Sequence, residues 1–248
     1  MTKSNIATAT RQEPPRKRVA RLTGLLYLIL FPTSGVAYGI SQLLMGRGAA
    51  GAFAWIQMNP TLFKLAIILG AVGYIDYLLL ALAFYKLLHP VGKMASATML
   101  AFVAVSVPVS LAAVARWLDV LSLLESASSL NAETLRTQVM LAVHGYNNLF
   151  QVSVIFWGLW LIPLGWLVMR CGFLPRAIGV MLMLGSVMYV MGFIGPVISS
   201  SYPATRVAGI VGIASGIPGL LGGELAICLW LLIVGVHDSG AIERPLRS

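Results

Sequence analysis

The chain has 248 residues, of which 58% are hydrophobic and 10% charged, with a formal net charge of +9. Soluble domains carry about 25% charged residues, so this composition excludes a soluble globular fold and describes a polytopic membrane protein. The basic excess suggests nucleic acid only until its distribution is considered, because most of it falls on one side of the spans traced below.

Residues 1–20 are polar and basic with a Pro14-Pro15 pair and are expected to form a disordered tail. Apolar runs then recur at residues 22–44, 61–88, 94–124, 141–169, 177–199 and 207–236, each longer than the roughly 18 residues a helix needs to cross a bilayer. Backbone polar groups cannot stay unpaired in lipid, and no run shows the alternation of barrel strands, so the expected fold is all-α. It is an integral membrane bundle of six transmembrane helices over residues 21–237, followed by a short tail at 238–248. The first run is too long for a signal-peptide core and is read as an uncleaved helix.

Between the first two runs, residues 46–60 form a Gly/Ala-rich connection with Trp55 near the interface. Residues 125–138 form the most hydrophilic loop, expected to carry a short surface helix capped by Ser128, Ser129 or Asn131. The turns at 89–93 and 171–176 are short enough to make the helices they join antiparallel neighbours.

Alternating the six spans places Lys3, Arg11, Arg16, Lys17, Arg18, Arg21, Lys86, Lys93, Arg170, Arg176, Arg244 and Arg247 on one side. The other side holds only Arg47, Lys64, Arg116, Arg136 and Arg206, so the positive-inside rule puts both termini in the cytoplasm. The run Arg16 to Arg18 is a topology signal and calls for no nucleic-acid partner. Cys171 and Cys228 are expected to be free thiols.

Glu224 lies in GIPGLLGGELAICLWLLIVGV, with no other formal charge between Arg206 and Asp238. An acid at mid-bilayer depth costs several kcal/mol unless it faces a polar interior or is neutral, which makes it a functional-site hypothesis. At about 1.5 Å per residue, Asp76 lies roughly 15 Å and Glu224 roughly 20 Å from their cytoplasmic ends. Both acids are therefore read as catalytic candidates able to donate or carry a proton, and His144, at the outer boundary, joins them.

His144, Asn147, Asn148 and Gln151 fall at i, i+3, i+4 and i+7, on one face of a helix. That stripe suits either a hydrated pocket wall or interhelical hydrogen bonding. Arg116 and Asp119 are spaced to satisfy one another, while the planar fork of Arg116 also suits a carboxylate or phosphate head group. Arg116, Asn147, Asn148 and Gln151 are the candidate ligand-binding residues.

Tyr74 and Tyr77 supply phenol donors beside Asp76, with Gly70 and Gly73 allowing close helix approach. Gly209, Gly212, Gly216, Gly219 and Gly223 form a small-residue seam interrupted by Pro218. Trp117, Trp166 and Tyr202 are read as interface-belt residues, and Trp157, Trp160 and Trp230 as packing or lipid-facing ones. No metal constellation, phosphate loop or nucleophilic triad is legible, and no cofactor is expected.

ARLTGLLYLIL, LLALAFYKLLHPVGK, HGYNNLFQVSVIFWGLWLIPLGWLVMRCGFLPRAIGV and GELAICLWLLIVGV together resemble a bacterial membrane-protein family catalogued as domain of unknown function 4386. The His144 motif followed by the Gly172 to Arg176 turn is the specific part. Trp157 and Trp166 stand where Phe and Tyr are expected, and Cys171 where Ser is usual. The resemblance implies six helices in a bacterial inner membrane and assigns no reaction.

The leading expectation is an outward-opening polar pocket that binds a small amphiphile or lipid, with Arg116 and His144 at its mouth and Asp76 and Glu224 at its base. A proton-coupled carrier or exporter using the same acids is the second reading. A structural or regulatory membrane protein, in which the polar residues are helix glue, is the third.

Overall fold

The computed structural model describes residues 15–126, 131–199 and 222–236. Every regular element in them is a helix: α1 (Pro15–Met45), α2 (Gly48–Met58), α3 (Pro60–Leu88), α4 (Lys93–Glu125), α5 (Ala132–Cys171), α6 (Arg176–Ile198) and α7 (Leu225–Ile233). Five of these, α1, α3, α4, α5 and α6, are long and apolar enough to cross a membrane. Residues Gly222–Ile233 form a shorter apolar helical stretch that contains α7. The expected sixth span is described only over this C-terminal part. Gly209, Gly212, Gly216, Gly219, Pro218, Arg206 and Tyr202 lie outside the described residues, as do Ser128, Ser129 and most of the N-terminal tail.

Two connections differ from their sequence reading. The Gly/Ala-rich segment after α1 is helical, because Gly48 at φ 64° turns the chain and α2 then buries Ala52, Phe53 and Ile56. The hydrophilic segment before α5 carries no separate surface helix among its described residues. Its helical residues are the first turns of α5, and Asn131 caps them by accepting a 2.7 Å hydrogen bond from the Thr134 N–H.

α1 packs on α3 and α7, α3 on α4, α4 on α5, and α5 on α6. Gly222 and Gly223 complete the circuit by meeting Met181 and Leu182 of α6. Small residues mark the closest crossings, as lipid-embedded helices require when no hydrophobic effect drives them together. A Cβ on Gly165 would lie 2.6 Å from the Gly179 carbonyl oxygen, and one on Gly179 would lie 2.5 Å from that of Gly165. Gly24 does the same for α1 and α7, where a Cβ would come within 2.8 Å of Leu232 and 3.1 Å of the Cys228 carbonyl. Gly73 brings α3 to Thr33 and Ser34 of α1. One polar tie spans α4 and α5, a 2.9 Å hydrogen bond from Ser110 to Ser153.

The turn from α5 to α6 shows why its sequence is distinctive. Gly172 takes a left-handed φ of 75° after α5, and Pro175 precedes the first residue of α6. Trp230 of α7 donates a 3.2 Å hydrogen bond to the Phe173 carbonyl, and the Arg16 guanidinium sits 5.0 Å above the Phe173 ring. Trp230 is thus a tie between α7 and this turn.

Trp117 is fully buried and stacks on Tyr146 at 3.9 Å, which corrects its reading as an interface residue. Phe63 of α3 and Tyr146 of α5 pack on its ring and enclose it at that end of α4. Trp166 is half-buried with the Arg170 guanidinium 4.2 Å above its ring.

The backbone contact at Gly165 and Gly179 leaves no room for a methyl group. Gly165→Ala or Gly179→Ala is expected to destabilise the bundle by about 1–3 kcal/mol, the usual range for overpacking. Gly39→Ala, whose Cβ would meet nothing within 4 Å, is expected to be neutral or stabilising. Thermal unfolding in detergent checks this, and equal shifts for all three variants would contradict the packing.

Candidate functional site

Glu224 is 7% exposed, so its carboxyl has left both water and lipid. Burial of such a group without hydrogen bonds is costly, and two phenols supply them. The Tyr27 hydroxyl donates to Oε1 at 3.3 Å and the Tyr189 hydroxyl donates to Oε2 at 3.2 Å. Local sequence explains how three distant residues meet. Gly24, one turn before Tyr27, lets α1 lie against α7, and Gly222 and Gly223 let the chain approach α6. Residues 222–224 form a π-helical turn immediately before α7, so Glu224 sits where the helical repeat changes.

This carboxyl lines a cavity of about 620 Å³. Its walls come from α1 (Tyr27, Phe31, Ser34, Tyr38, Gln42), α3 (Tyr74, Tyr77), α5 (Phe150, Gln151, Val154, Trp157, Trp160) and α6 (Met188, Tyr189, Gly192). Tyr77 meets the indoles of Trp157 and Trp160 edge-on, at interplanar angles of 84° and 90°. The Tyr77 hydroxyl and the Trp157 indole nitrogen are buried and have no hydrogen-bond partner among the described residues. Such orphaned donors are uncommon in folded proteins. A second, smaller hollow between α4, α5 and α6 is lined by Ala95, Phe102, Leu159, Ile162 and similar residues and contains no titratable group.

Of the seven residues singled out from the sequence, Glu224 and Gln151 line the cavity, and the other five do not. Asp76 is buried at 6% exposure, and its Oδ2 has no hydrogen-bond partner among the described residues. It shares the α1-facing side of α3 with Gly73, while its neighbour Tyr77 reaches the cavity. Arg116 forms a 2.7 Å ion pair with Asp119, both half-exposed, and its side chain lies over Gly145. His144 and Asn148 are exposed, and Asn147 is half-buried. The reason is the orientation of α5, which turns Val143, Tyr146 and Phe150 inward so that Tyr146 can stack on Trp117. A funnel from Arg116 and His144 down to Glu224 is not formed by the described residues.

Tyr27, Tyr189, Trp157 and Trp160 are not among the candidate ligand residues of the sequence, in which Trp157 and Trp160 read as packing or lipid-facing. One signal for the first was present. Tyr27, Phe31, Ser34, Tyr38 and Gln42 follow one another at helical spacings of four, three, four and four, a stripe along α1 that faces the cavity.

Five long apolar helices define a multi-pass membrane protein, and an aromatic cavity with one buried acid is its most distinctive internal feature. A family model described as Domain of unknown function (DUF4386) matches residues 22–235, and the chain belongs to that family. No curated protein and no solved structure matches the chain.

Each phenol bond to Glu224 is expected to contribute about 1 kcal/mol. Tyr27→Phe and Tyr189→Phe should each lower stability by about that amount, and neither should have a further effect once Glu224 is replaced by Leu. Chemical unfolding of the single and double variants measures the coupling. A coupling of zero for both pairs would contradict the geometry.

Proposed function

We propose that this protein binds a small amphiphilic molecule within the membrane, in the cavity between α1, α3, α5 and α6, with Glu224 as its polar anchor. The observation that carries the proposal is a buried carboxyl on the wall of one aromatic cavity, with the Gln151 amide on the same wall. Cavities of several hundred Å³ lined by aromatic side chains with a few convergent polar groups suit small-molecule ligands. Gln151 adds an amide able both to donate and to accept. The other five residues singled out from the sequence serve elsewhere in this reading: Asp76 at the α1–α3 contact, Arg116 with Asp119 at the outer end of α4, and His144, Asn147 and Asn148 on α5.

The second reading, a proton-coupled carrier, is favoured by the π-helical turn at residues 222–224. π-helical turns recur at functional sites, and this one carries an intramembrane acid. In that reading Glu224 exchanges a proton for ligand, and transport into liposomes follows a proton gradient. In both readings the protein lies in a bacterial inner membrane, crosses it six times and keeps both termini in the cytoplasm.

Mass spectrometry of molecules retained through purification tests ligand binding. A discrete species is expected with the wild type and should be lost in Val154→Trp, which projects an indole into the cavity. Retention of that species by a folded Val154→Trp protein would contradict the cavity as its site. Membrane-impermeant thiol labelling tests the topology in a protein lacking Cys171 and Cys228. Ala49→Cys should react from outside intact cells, and Ser4→Cys only after lysis; the reverse pattern would overturn the orientation.

A further inference from the structure

We infer that the occupant of this cavity is an organic cation, a hydrophobic amine or onium group whose charge lies beside Glu224; this rests on the ligand-binding reading above. Three observations support it independently of composition. The Glu224 carboxyl accepts from two phenols, and no Lys, Arg or His lines the cavity among the described residues, so its charge has no partner there. The surrounding walls are rings set at right angles: Tyr77 is perpendicular to both Trp157 and Trp160, and Phe150 is perpendicular to Trp157 at 5.1 Å. Tyr27, Tyr189, Trp157 and Trp160 line the cavity, and the negative faces of Trp and Tyr rings attract alkylammonium and related cations within about 6 Å, most strongly once they are desolvated.

The third observation concerns the rest of the ligand. Gln151 lines the cavity with an amide able to donate as well as accept. An acceptor on the same molecule, such as an ether, ester or hydroxyl oxygen near the cationic centre, would suit its N–H groups. An anion is disfavoured because it would meet Glu224, and a wholly apolar ligand would leave the Gln151 amide and the carboxyl unanswered. The cavity, at about 620 Å³, holds a drug-sized cation.

The test uses three probes of similar shape and different charge: tetraphenylphosphonium, neutral triphenylphosphine oxide and tetraphenylborate. Binding to the full-length protein in uncharged detergent is followed by quenching of tryptophan fluorescence and by equilibrium dialysis. Tetraphenylphosphonium is expected to bind at least about tenfold more tightly than the oxide, with no saturable binding of the borate. Glu224→Gln, which keeps an oxygen for the phenols, should abolish that preference and leave binding of the oxide. Trp157→Leu should weaken the phosphonium more than the oxide. If the oxide binds as tightly as the phosphonium and Glu224→Gln changes neither, the cation assignment is overturned while the cavity remains a ligand site. If no probe binds saturably and Val154→Trp behaves as the wild type, the ligand-binding reading fails as well.

Discussion

Burying a carboxyl group in the apolar interior of a helical bundle is costly unless other groups satisfy its oxygens, and this constraint organises one side of the molecule. Glu224 meets it with Tyr27 and Tyr189, which belong to α1 and α6 and meet at the turn formed by residues 222–224. The arrangement depends on glycine more than on the acid. Gly24 removes the methyl that would separate α1 from Leu232, and Gly222 and Gly223 allow contact with Met181 and Leu182. The polar contact is therefore a consequence of backbone approach, and the cavity is the space that α1, α3, α5 and α6 leave in front of it.

The rest of the bundle handles its polar groups differently. Ser106, Thr33 and Ser34 return their hydroxyls to carbonyls of their own helices, while Ser110 and Ser153 join α4 to α5. Arg116 and Asp119 neutralise one another at an exposed helix end. Asp76 stands apart as a second buried acid whose Oδ2 is unpaired among the described residues. Glu224 is distinguished from all of these by facing a cavity with both of its oxygens engaged.

Much of the fold was legible because membrane spans declare themselves by length and apolarity. The helices α3, α4, α5 and α6 fall close to the apolar runs, and Asn131 was readable as a cap from its chemistry alone. The helical nature of residues 48–58 was not, because a Gly/Ala-rich segment carries little periodicity and gains its helix by burying Phe53 and Ile56 on neighbours. The site was half legible. Glu224 was found because a charge in an apolar run is conspicuous, and Gln151 because it lies on a polar stripe. Rotation of α5 about its axis then separated Gln151 from His144 and Asn148, since the stacking of Tyr146 on Trp117 decides which face is buried. Such a choice depends on a partner helix and cannot be read from one helix's spacing. The aromatic walls were hidden for a related reason: in a membrane protein a Trp or Tyr suits lipid, interface and cavity alike.

The proposed role of Glu224 as the anchor of an intramembrane ligand is most directly tested by an experimental density map of the protein extracted from its own membrane in a lipid-preserving polymer. Non-protein density should fill the space between Trp157 and Tyr189, within hydrogen-bond reach of the Glu224 carboxyl. A map in which the chain's own side chains fill that space, leaving Glu224 with internal partners alone, would contradict it.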